Sequence, residues 1–244
     1  MGRFWDASSP ALFTAFSVSH YIVLVLTVLL LFAMYRLRFW LKEGRRAALG
    51  RYILAAILAI CEITLNIWFV TEDVFSLKST LPLELCSISL LLCIFMLLFR
   101  NRLVFQIVYF TGIGGAMQAL LTPVLYYAFP HYLFLEFFIA HIAIIAAVLY
   151  MVWVEGFRPT LKSIGITMLF LNVMLVIVWS VNHWTGGNYM FVARKPETAS
   201  LLDLLGPYPW YLLSMEAVAI VVFGLLYLPF ARRHRPTSQK QKGT

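Results

Sequence analysis

Seven unbroken apolar stretches, each about 20 residues long, constrain this chain more than any other feature. An α-helix rising about 1.5 Å per residue needs about 20 apolar residues to cross the hydrocarbon core of a bilayer. Transmembrane β-barrels instead show alternating segments of about ten residues. We therefore predict an all-α membrane protein, a single domain over residues 1–244 built as a bundle of seven transmembrane helices. The predicted helices are 14–34, 52–70, 81–99, 103–126, 132–153, 164–183 and 210–230.

Composition supports the same class. The chain is 62% hydrophobic and 12% charged, which leaves too few charges to cover a water-facing surface. Its net charge of +8 fits basic loops beside anionic lipid. No basic patch carries interleaved aromatic residues, so we expect no nucleic-acid partner.

The basic residues predict an orientation. If the N-terminus lies outside, only Arg3, Lys78, Arg194 and Lys195 face outward, and every other Lys and Arg faces inward. Cytoplasmic loops carry the excess of Lys and Arg in membrane proteins. We therefore predict a multi-pass protein of the cell membrane with a cytoplasmic C-terminus, ending in a basic cytoplasmic tail over residues 231–244.

The chain lacks the residues that several classes of cofactor require. A retinal protein needs a Schiff-base lysine in its last helix, and the stretch 210–230 contains no Lys. No two histidines are spaced i, i+4, and the three cysteines form no CxxC, so neither a helical zinc pair nor a zinc ribbon is indicated. A metal site drawn from three different helices stays open. We expect no cofactor and no metal.

The polar side chains within the apolar stretches fall mostly in the predicted outer half of the membrane. Ionisable groups are costly there and usually face the interior of a bundle. This predicts one polar cavity that opens outward above an apolar floor. A thiol and a histidine at similar depth, Cys86 and His141, are its candidate catalytic residues. The supporting cavity residues are Glu62, Asn66, Glu84, Gln118, Glu136, His20 and Glu216.

Each polar residue also has a structural interpretation. Glu62 and Asn66, at i and i+4, suit an interhelical hydrogen-bond pair. Glu84 stands close enough to the interface to extend toward water. Residues 84 and 86 would lie about 200° apart on a helix, so the carboxylate and the thiol are expected on different faces.

A thiol beside a histidine indicates acyl transfer. The thiolate is a strong nucleophile, and a histidine within hydrogen-bond reach can take its proton. In a membrane the natural acyl donor is a lipid ester. Water as the acceptor would make the protein a hydrolase, whereas a lysolipid or an amine would make it a transferase.

Three stretches together carry a family resemblance: LPLELCSISLLL at 81–92, TGIGGAMQALLTP with FPHYLFLEFFIAHI at 111–142, and GGNYMFVARKPETASLLDLLGPYPWYLL at 186–213. The chain resembles the YwaF-type bacterial integral membrane proteins and, more distantly, is similar to an animal transmembrane phospholipid acyltransferase. The resemblance implies transfer of a fatty acyl chain from a phospholipid to a lysophospholipid through a thioester. It assigns the nucleophile to Cys86 and the base to His141, and implies a bacterial cytoplasmic membrane.

The segment 184–209 is too long for a plain connector. One interpretation is a lid over the cavity, with Arg194, Lys195, Asn188 and Tyr189 meeting a lipid headgroup. The other is an interfacial loop anchored by its aromatic residues.

Two further functions stay open. The first is a non-enzymatic protein that binds or transports a lipid or small molecule. The nearly bare inner halves of the helices argue against a path through the membrane. The second is a structural subunit of a larger membrane complex.

Overall fold

The computed structural model describes residues 2–8, 12–195 and 201–231, and the predicted basic tail beyond Ala231 lies outside the described residues. Apart from one isolated antiparallel bridge between Leu12 and Tyr127, the regular structure described is helical. The helices are α1 Gly2–Trp5, α2 Val18–Leu41, α3 Arg46–Thr71, α4 Leu85–Phe99, α5 Arg102–Leu121, α6 Tyr132–Trp153, α7 Leu161–Thr185 and α8 Trp210–Ala231, with short 3₁₀ turns at Tyr189–Phe191 and Leu201–Leu205.

Six of these helices, all except α1 and α4, are long and apolar enough to cross a membrane. The sides of α2 and α7 turned away from the bundle carry exposed apolar residues such as Leu29 and Leu169, as lipid contact requires. The protein is therefore a multi-pass membrane protein, and the predicted all-α class is confirmed. With 15 residues, α4 covers about 22 Å, so the number of helices that cross the bilayer stays a prediction.

Helix boundaries differ from those predicted. The stretch predicted as 81–99 becomes helical only at Leu85, because Pro82 cannot donate a helical hydrogen bond and Glu84 is extended at the N-cap. The stretch predicted as 103–126 ends at Leu121, since the residue before Pro123 is disfavoured in helical conformation. At the N-terminal side, Phe16 has a φ of 61°, and α2 starts after it at Val18 rather than at residue 14.

Helices α5 and α6 form the centre of the bundle. More than half of the apolar window of α6 is buried, 56%, against 11% for α7 and for α8. Close contact between the two central helices depends on Gly112, where an added Cβ would lie 3.2 Å from Ile144 Cγ2. Helices α3 and α4 pack against both α6 and each other, α2 packs on α6, and α7 and α8 pack on α5.

The two ends of the bundle differ in chemistry. The loop end holds the N-terminal segment 2–8 and the loops 72–84, 122–131 and 186–195, which hydrogen bond to one another and to nearby helix ends. The opposite end, here the arginine end, holds Arg51, Arg100 and Glu155.

At the arginine end, one buried carboxylate joins three helices. Glu155, just past α6, lies 2.9 Å from Arg51 Nε of α3 and 2.6 Å from Arg100 Nη2 after α4. Within the described residues Arg51 Nε makes no hydrogen bond, so its contact with Glu155 is an ion pair. Arg51 Nη1 donates to Leu97 O at 2.7 Å. Nearby, Gly50 leaves room for the hydroxyl of Tyr150, which donates to Ala47 O at 3.1 Å.

Candidate functional site

Cys86 lies in the first turn of α4, at the loop end of the bundle. Because the backbone of Glu84 is extended, α4 begins at Leu85. This start of the helix fixes the direction of the Cys86 side chain. The half-buried thiol points at α5, where an added Cβ on Gly115 would lie 3.9 Å from its Sγ. The two other cysteines, Cys61 and Cys93, are free and buried. Cys86 is therefore the least buried of the three cysteines.

His141 lies in α6 and is 7% exposed. Its Nδ1 is 2.6 Å from Phe137 O, one turn earlier, and its ring lies against that of Phe137 with 4.2 Å between centroids. Because a carbonyl only accepts, Nδ1 carries the hydrogen, and Nε2 is left with a free lone pair. Within the described part of the chain Nε2 makes no hydrogen bond. The imidazole is thus held in the tautomer that can accept a proton.

Helix register brings these two residues to the same level. Ser89 Oγ of α4 is 3.2 Å from Thr111 Oγ1 of α5, and the adjacent Gly112 faces Ile144 of α6. Three residues toward the loop end on each helix, about 4.5 Å, stand Cys86, Gly115 and His141.

The thiol and the imidazole stand at one level along their helices, but no hydrogen bond joins them among the described residues. The arrangement places a thiol and an imidazole at one depth. It does not supply a preformed dyad. Apo geometry of this kind tightens in many enzymes only when substrate is bound.

Glu84 hydrogen bonds to the loop 186–195. Its Oε2 accepts a hydrogen bond from Met190 N at 3.1 Å, across the space between the start of α4 and the loop 186–195. Because Glu84 is an extended N-cap outside the helix, helical spacing does not set its direction, and the expectation that residues 84 and 86 face different ways stays a prediction. The carboxylate ties the loop to the helix that carries Cys86.

The loop 186–195 is held from several sides. Tyr189 is 1% exposed, and its hydroxyl donates to Leu77 O at 2.9 Å and accepts from Leu81 N at 3.0 Å. Asn182 of α7 pairs with both backbone groups of Tyr189, at 3.0 and 2.8 Å. Met190 and Phe191 have φ values of 54° and 53°, a left-handed conformation that is costly for residues with side chains. The contacts of Glu84 and Tyr189 therefore hold a strained segment beside the first turn of α4.

Of the four residues predicted to meet a headgroup, two support the loop itself. Asn188 Oδ1 accepts from Ala193 N and Arg194 N, and its Nδ2 donates to Arg194 O. Tyr189 is buried, as described above. Lys195 lies 3.9 Å from Asp203 and over the ring of Tyr211.

Arg194 is the residue of this set that lines a cavity. Its side chain is exposed and forms no hydrogen bond or ion pair with any described residue. The cavity has a volume of about 260 Å³ and opens at the loop end. It is lined by Trp179, Asn182, His183, Gly186, Gly187, Ala193, Arg194 and Tyr208.

The predicted carboxylates form a separate cluster between α3 and α6. Asn66 Nδ2 donates to Glu62 O at 2.8 Å and to Glu62 Oε1 at 3.2 Å, which is the predicted i, i+4 pair. Glu136 of α6 is close enough to Glu62 for their charges to interact. On α6, Glu136 and His141 are about 140° apart around the axis, so this carboxylate faces α3 while the imidazole faces another side.

The remaining predicted cavity residues have different environments. His20 is fully buried, and both ring nitrogens are used: Nδ1 accepts from Phe16 N at 2.9 Å and Nε2–H donates to Leu120 O at 2.8 Å. It holds the chain before α2 against the end of α5. Gln118 is exposed on α5, and Glu216 is half-buried on α8. Among the described residues, no group of three His, Cys, Asp or Glu side chains is arranged to hold a metal ion.

Sequence reasoning missed a set of contacts at the loop end. His131, Tyr127 and Glu72 bind the N-terminal segment 2–8, and none of the three was singled out. One signal was present, because His131 directly precedes an apolar stretch, the position of a helix N-cap. The partners lie more than 60 residues away along the chain, and no local pattern connects them.

Comparison with known proteins identifies a family. The model of the TMEM164 family matches residues 15–227, which is most of the chain and extends from the start of α2 into α8. No curated protein and no solved structure matches the chain significantly.

Proposed function

Because the chain belongs to the TMEM164 family of membrane proteins, we propose that it is a membrane-embedded lipid acyltransferase or lipid ester hydrolase. Cys86 is the nucleophile and His141 is the base. The observation that carries the proposal is the common level of the least buried thiol and an imidazole whose Nε2 makes no hydrogen bond within the described structure.

The chemistry balances with these two side chains. His141 Nε2 takes the thiol proton as Cys86 Sγ attacks the carbonyl carbon of a phospholipid ester, and the C–O bond to the glycerol oxygen breaks. The departing oxygen takes the proton from His141, which leaves a lysolipid and a thioester on Cys86. A lysophospholipid hydroxyl or water then attacks the thioester, His141 accepts its proton and returns it to the thiolate, and a new ester or a free acid leaves.

The lack of a side chain at Gly115, beside the Cys86 thiol, favours access of an ester. Gly115 has no side chain to occupy the space beside Sγ, and Gly112 one turn away lets α5 and α6 approach closely.

In this proposal the loop 186–195 binds the headgroup of the lipid. Arg194 carries a guanidinium without a protein partner in the described structure, at the rim of a cavity of about 260 Å³. Arginine binds phosphate through two parallel N–H bonds. Glu84, through its hydrogen bond to Met190 N, then connects this loop to α4, the helix that carries Cys86.

The orientation and the location belong to the proposal as well. The positive-inside rule favours the loop end outside and the arginine end in the cytoplasm. A place among the YwaF-type proteins, and with it a bacterial cytoplasmic membrane, is supported only by the three sequence stretches that carry the resemblance.

One observation favours an alternative. The thiol and imidazole are not hydrogen bonded within the described structure, as would suit a protein that binds a lipid or small molecule without chemistry. In that case the cavity beside Arg194 would be the binding site, and Cys86 would be a packing residue.

The deciding experiment is mass spectrometry of the purified protein after incubation with a phospholipid that carries an alkyne-tagged acyl chain. We expect a tagged thioester on Cys86 in the unaltered protein. Cys86→Ala should lose both adduct and product, and His141→Gln should slow formation of the adduct. Cys93→Ala, a change seven residues along the same helix at a fully buried thiol, is the matched control and should keep both.

Turnover by a folded Cys86→Ala protein would exclude the mechanism. Lipid binding that survives in that variant, with no adduct in the unaltered protein, would support the alternative.

A further inference from the structure

The N-terminal segment, residues 2–8, lies as a strap across the loop end of α3. Trp68 Nε1 donates to Trp5 O at 2.7 Å, and Trp5 Nε1 donates to Thr71 Oγ1 at 3.1 Å. Ala7 N donates to Glu72 Oε2 at 2.9 Å. A helix of four residues such as α1 has no stability of its own, so these long-range bonds hold the strap in place.

The strap covers one end of the cluster formed by Glu62, Asn66 and Glu136 between α3 and α6, which we call the α3–α6 polar cluster. The indole of Trp5 lies 4.5 Å from the ring of Tyr132, whose hydroxyl donates to Thr64 Oγ1 at 2.8 Å. Glu136 stands one helical turn deeper on α6, and Glu62 half a turn deeper on α3. Removing Trp5 would uncover the hydrogen bond between Tyr132 and Thr64, one helical turn from Glu136.

A histidine joins the strap to the start of α6. His131 is the N-cap of α6: its Nδ1 accepts from Leu133 N at 3.1 Å while its Nε2 donates to Asp6 O at 3.3 Å. The ring is 3% exposed and stacks on Tyr127 with 4.1 Å between centroids. Only the neutral imidazole with hydrogen on Nε2 makes both bonds. A proton on Nδ1 removes the cap and adds positive charge at a helix N-terminus, where the helix dipole disfavours it.

The charges facing His131 come from two elements. Asp6 of the strap and Glu72 at the end of α3 both favour a protonated ring, whereas burial lowers the pKa of His131 and is the larger effect. The hydroxyl of Tyr127 donates to Ala7 O at 3.1 Å and is uncharged. The docked pKa therefore lies below the value of about 6.5 for a free histidine. Docking is fully favourable above about pH 6.5 and weakens as the pH falls below it.

We propose that the strap is a pH-sensitive cover over the α3–α6 polar cluster, and that protonation of His131 releases it. The inference rests on the hydrogen bonds of the strap and is independent of the proposed acyl transfer. Release would open the cluster that contains Glu62 and Glu136 to the water at the loop end.

The expected change in the docking equilibrium of the strap follows from the pKa of a free histidine. At pH 5.0 a group with a pKa of about 6.5 is protonated about 30 times more often than not, so the docking equilibrium falls by up to about 30-fold relative to pH 7.5. The measurement is hydrogen–deuterium exchange of the full chain in lipid nanodiscs at the two pH values, corrected for intrinsic rates. We expect the Ala7 amide to exchange between a few-fold and about 30-fold faster at pH 5.0.

Three variants distinguish release of the strap by His131 from a general loss of stability at acidic pH. His131→Asn keeps a cap acceptor and a donor but does not titrate, so strap exchange should become independent of pH. Trp5→Ala removes the ring over Tyr132 and should give fast exchange at both pH values. His183→Asn changes an exposed histidine of α7 and should leave the response of the strap intact.

Equal exchange at the two pH values in the unaltered protein would overturn the proposal. So would an undiminished pH response in His131→Asn, or a response lost in His183→Asn. Slow strap exchange at pH 7.5 in Trp5→Ala would show that the indole does not hold the cover.

Discussion

The carboxylate of Glu155 offers a sharp test of how this bundle is held together. In Glu155→Gln the ion pairs with Arg51 and Arg100 are lost, while the size of the side chain is kept. The Glu155 side chain is 6% exposed and that of Arg51 is 10% exposed, so the change leaves a buried guanidinium without a counter-charge. Breaking a buried pair in this way costs about 3–5 kcal/mol. Arg100 is 54% exposed, and its share is screened to about 1 kcal/mol or less.

The chain contains a matched control for this change. Glu43 and Arg46 form an ion pair of similar length, 3.0 Å, but their side chains are 70% and 42% exposed. Glu43→Gln should cost about 0.5 kcal/mol or less. Both variants are compared by unfolding in mixed micelles of mild detergent and SDS, followed by tryptophan fluorescence.

A double substitution isolates the cause. Replacing Arg51 and Glu155 together by Met removes the buried charge with its partner, and most of the lost stability should return. If Glu155→Gln costs no more than Glu43→Gln, the buried ion pair does not stabilise the arginine end and the reasoning is refuted.

Three further changes test close contacts in the structure. Gly50→Ala should lower the free energy of unfolding by about 1–3 kcal/mol, measured in the same assay, because the new methyl group collides with the hydroxyl of Tyr150. Glu84→Ala should speed amide exchange at Met190 by about fivefold, since one hydrogen bond of about 1 kcal/mol is lost from a strained loop. Gly115→Val should leave the fold intact but reduce thioester formation at least tenfold, because the added methyl groups enter the space beside the Cys86 thiol.

Controls for these changes lie at comparable positions. Gly165→Ala, in a helix where no atom of the described residues lies within 4 Å of the new methyl group, should be neutral or stabilising by about 0.5–1 kcal/mol. Glu216→Ala, a carboxylate on α8, should leave exchange in the loop 186–195 unchanged. A neutral Gly50→Ala, unchanged exchange in Glu84→Ala, or full adduct formation in Gly115→Val would each contradict the contact that it tests.

Much of the fold follows from local pattern. Long apolar stretches predict helices wherever they occur, and the predicted centres of all seven lie within observed helices. The predicted starts were less accurate, as at Leu85, where the extended Glu84 delays the helix by four residues. Depth along each helix was also readable from sequence, so Cys86 and His141 were expected at similar levels, and the register of α4, α5 and α6 agrees.

Side-chain direction was far less predictable. The single cavity inferred from depth becomes several environments: a thiol beside Gly115, a carboxylate cluster facing α3, and His20 with both nitrogens bonded to backbone. Rotation around a helix axis decides which neighbour a side chain meets. Because the helices are apolar on most of their surfaces, the sequence carries little signal for that rotation.

The apolar length of each helix, the concentration of arginines near helix ends and the depth of the polar residues are local properties, and the sequence by itself determined them. Tertiary structure alone decided the pairings: Glu84 with the backbone of Met190, His20 with Leu120, and His131 with Asp6. These partners are at least 100 residues apart. Their contacts arise only when packing of separate helices brings the loop end together, because in lipid each polar group must find its partner within the protein.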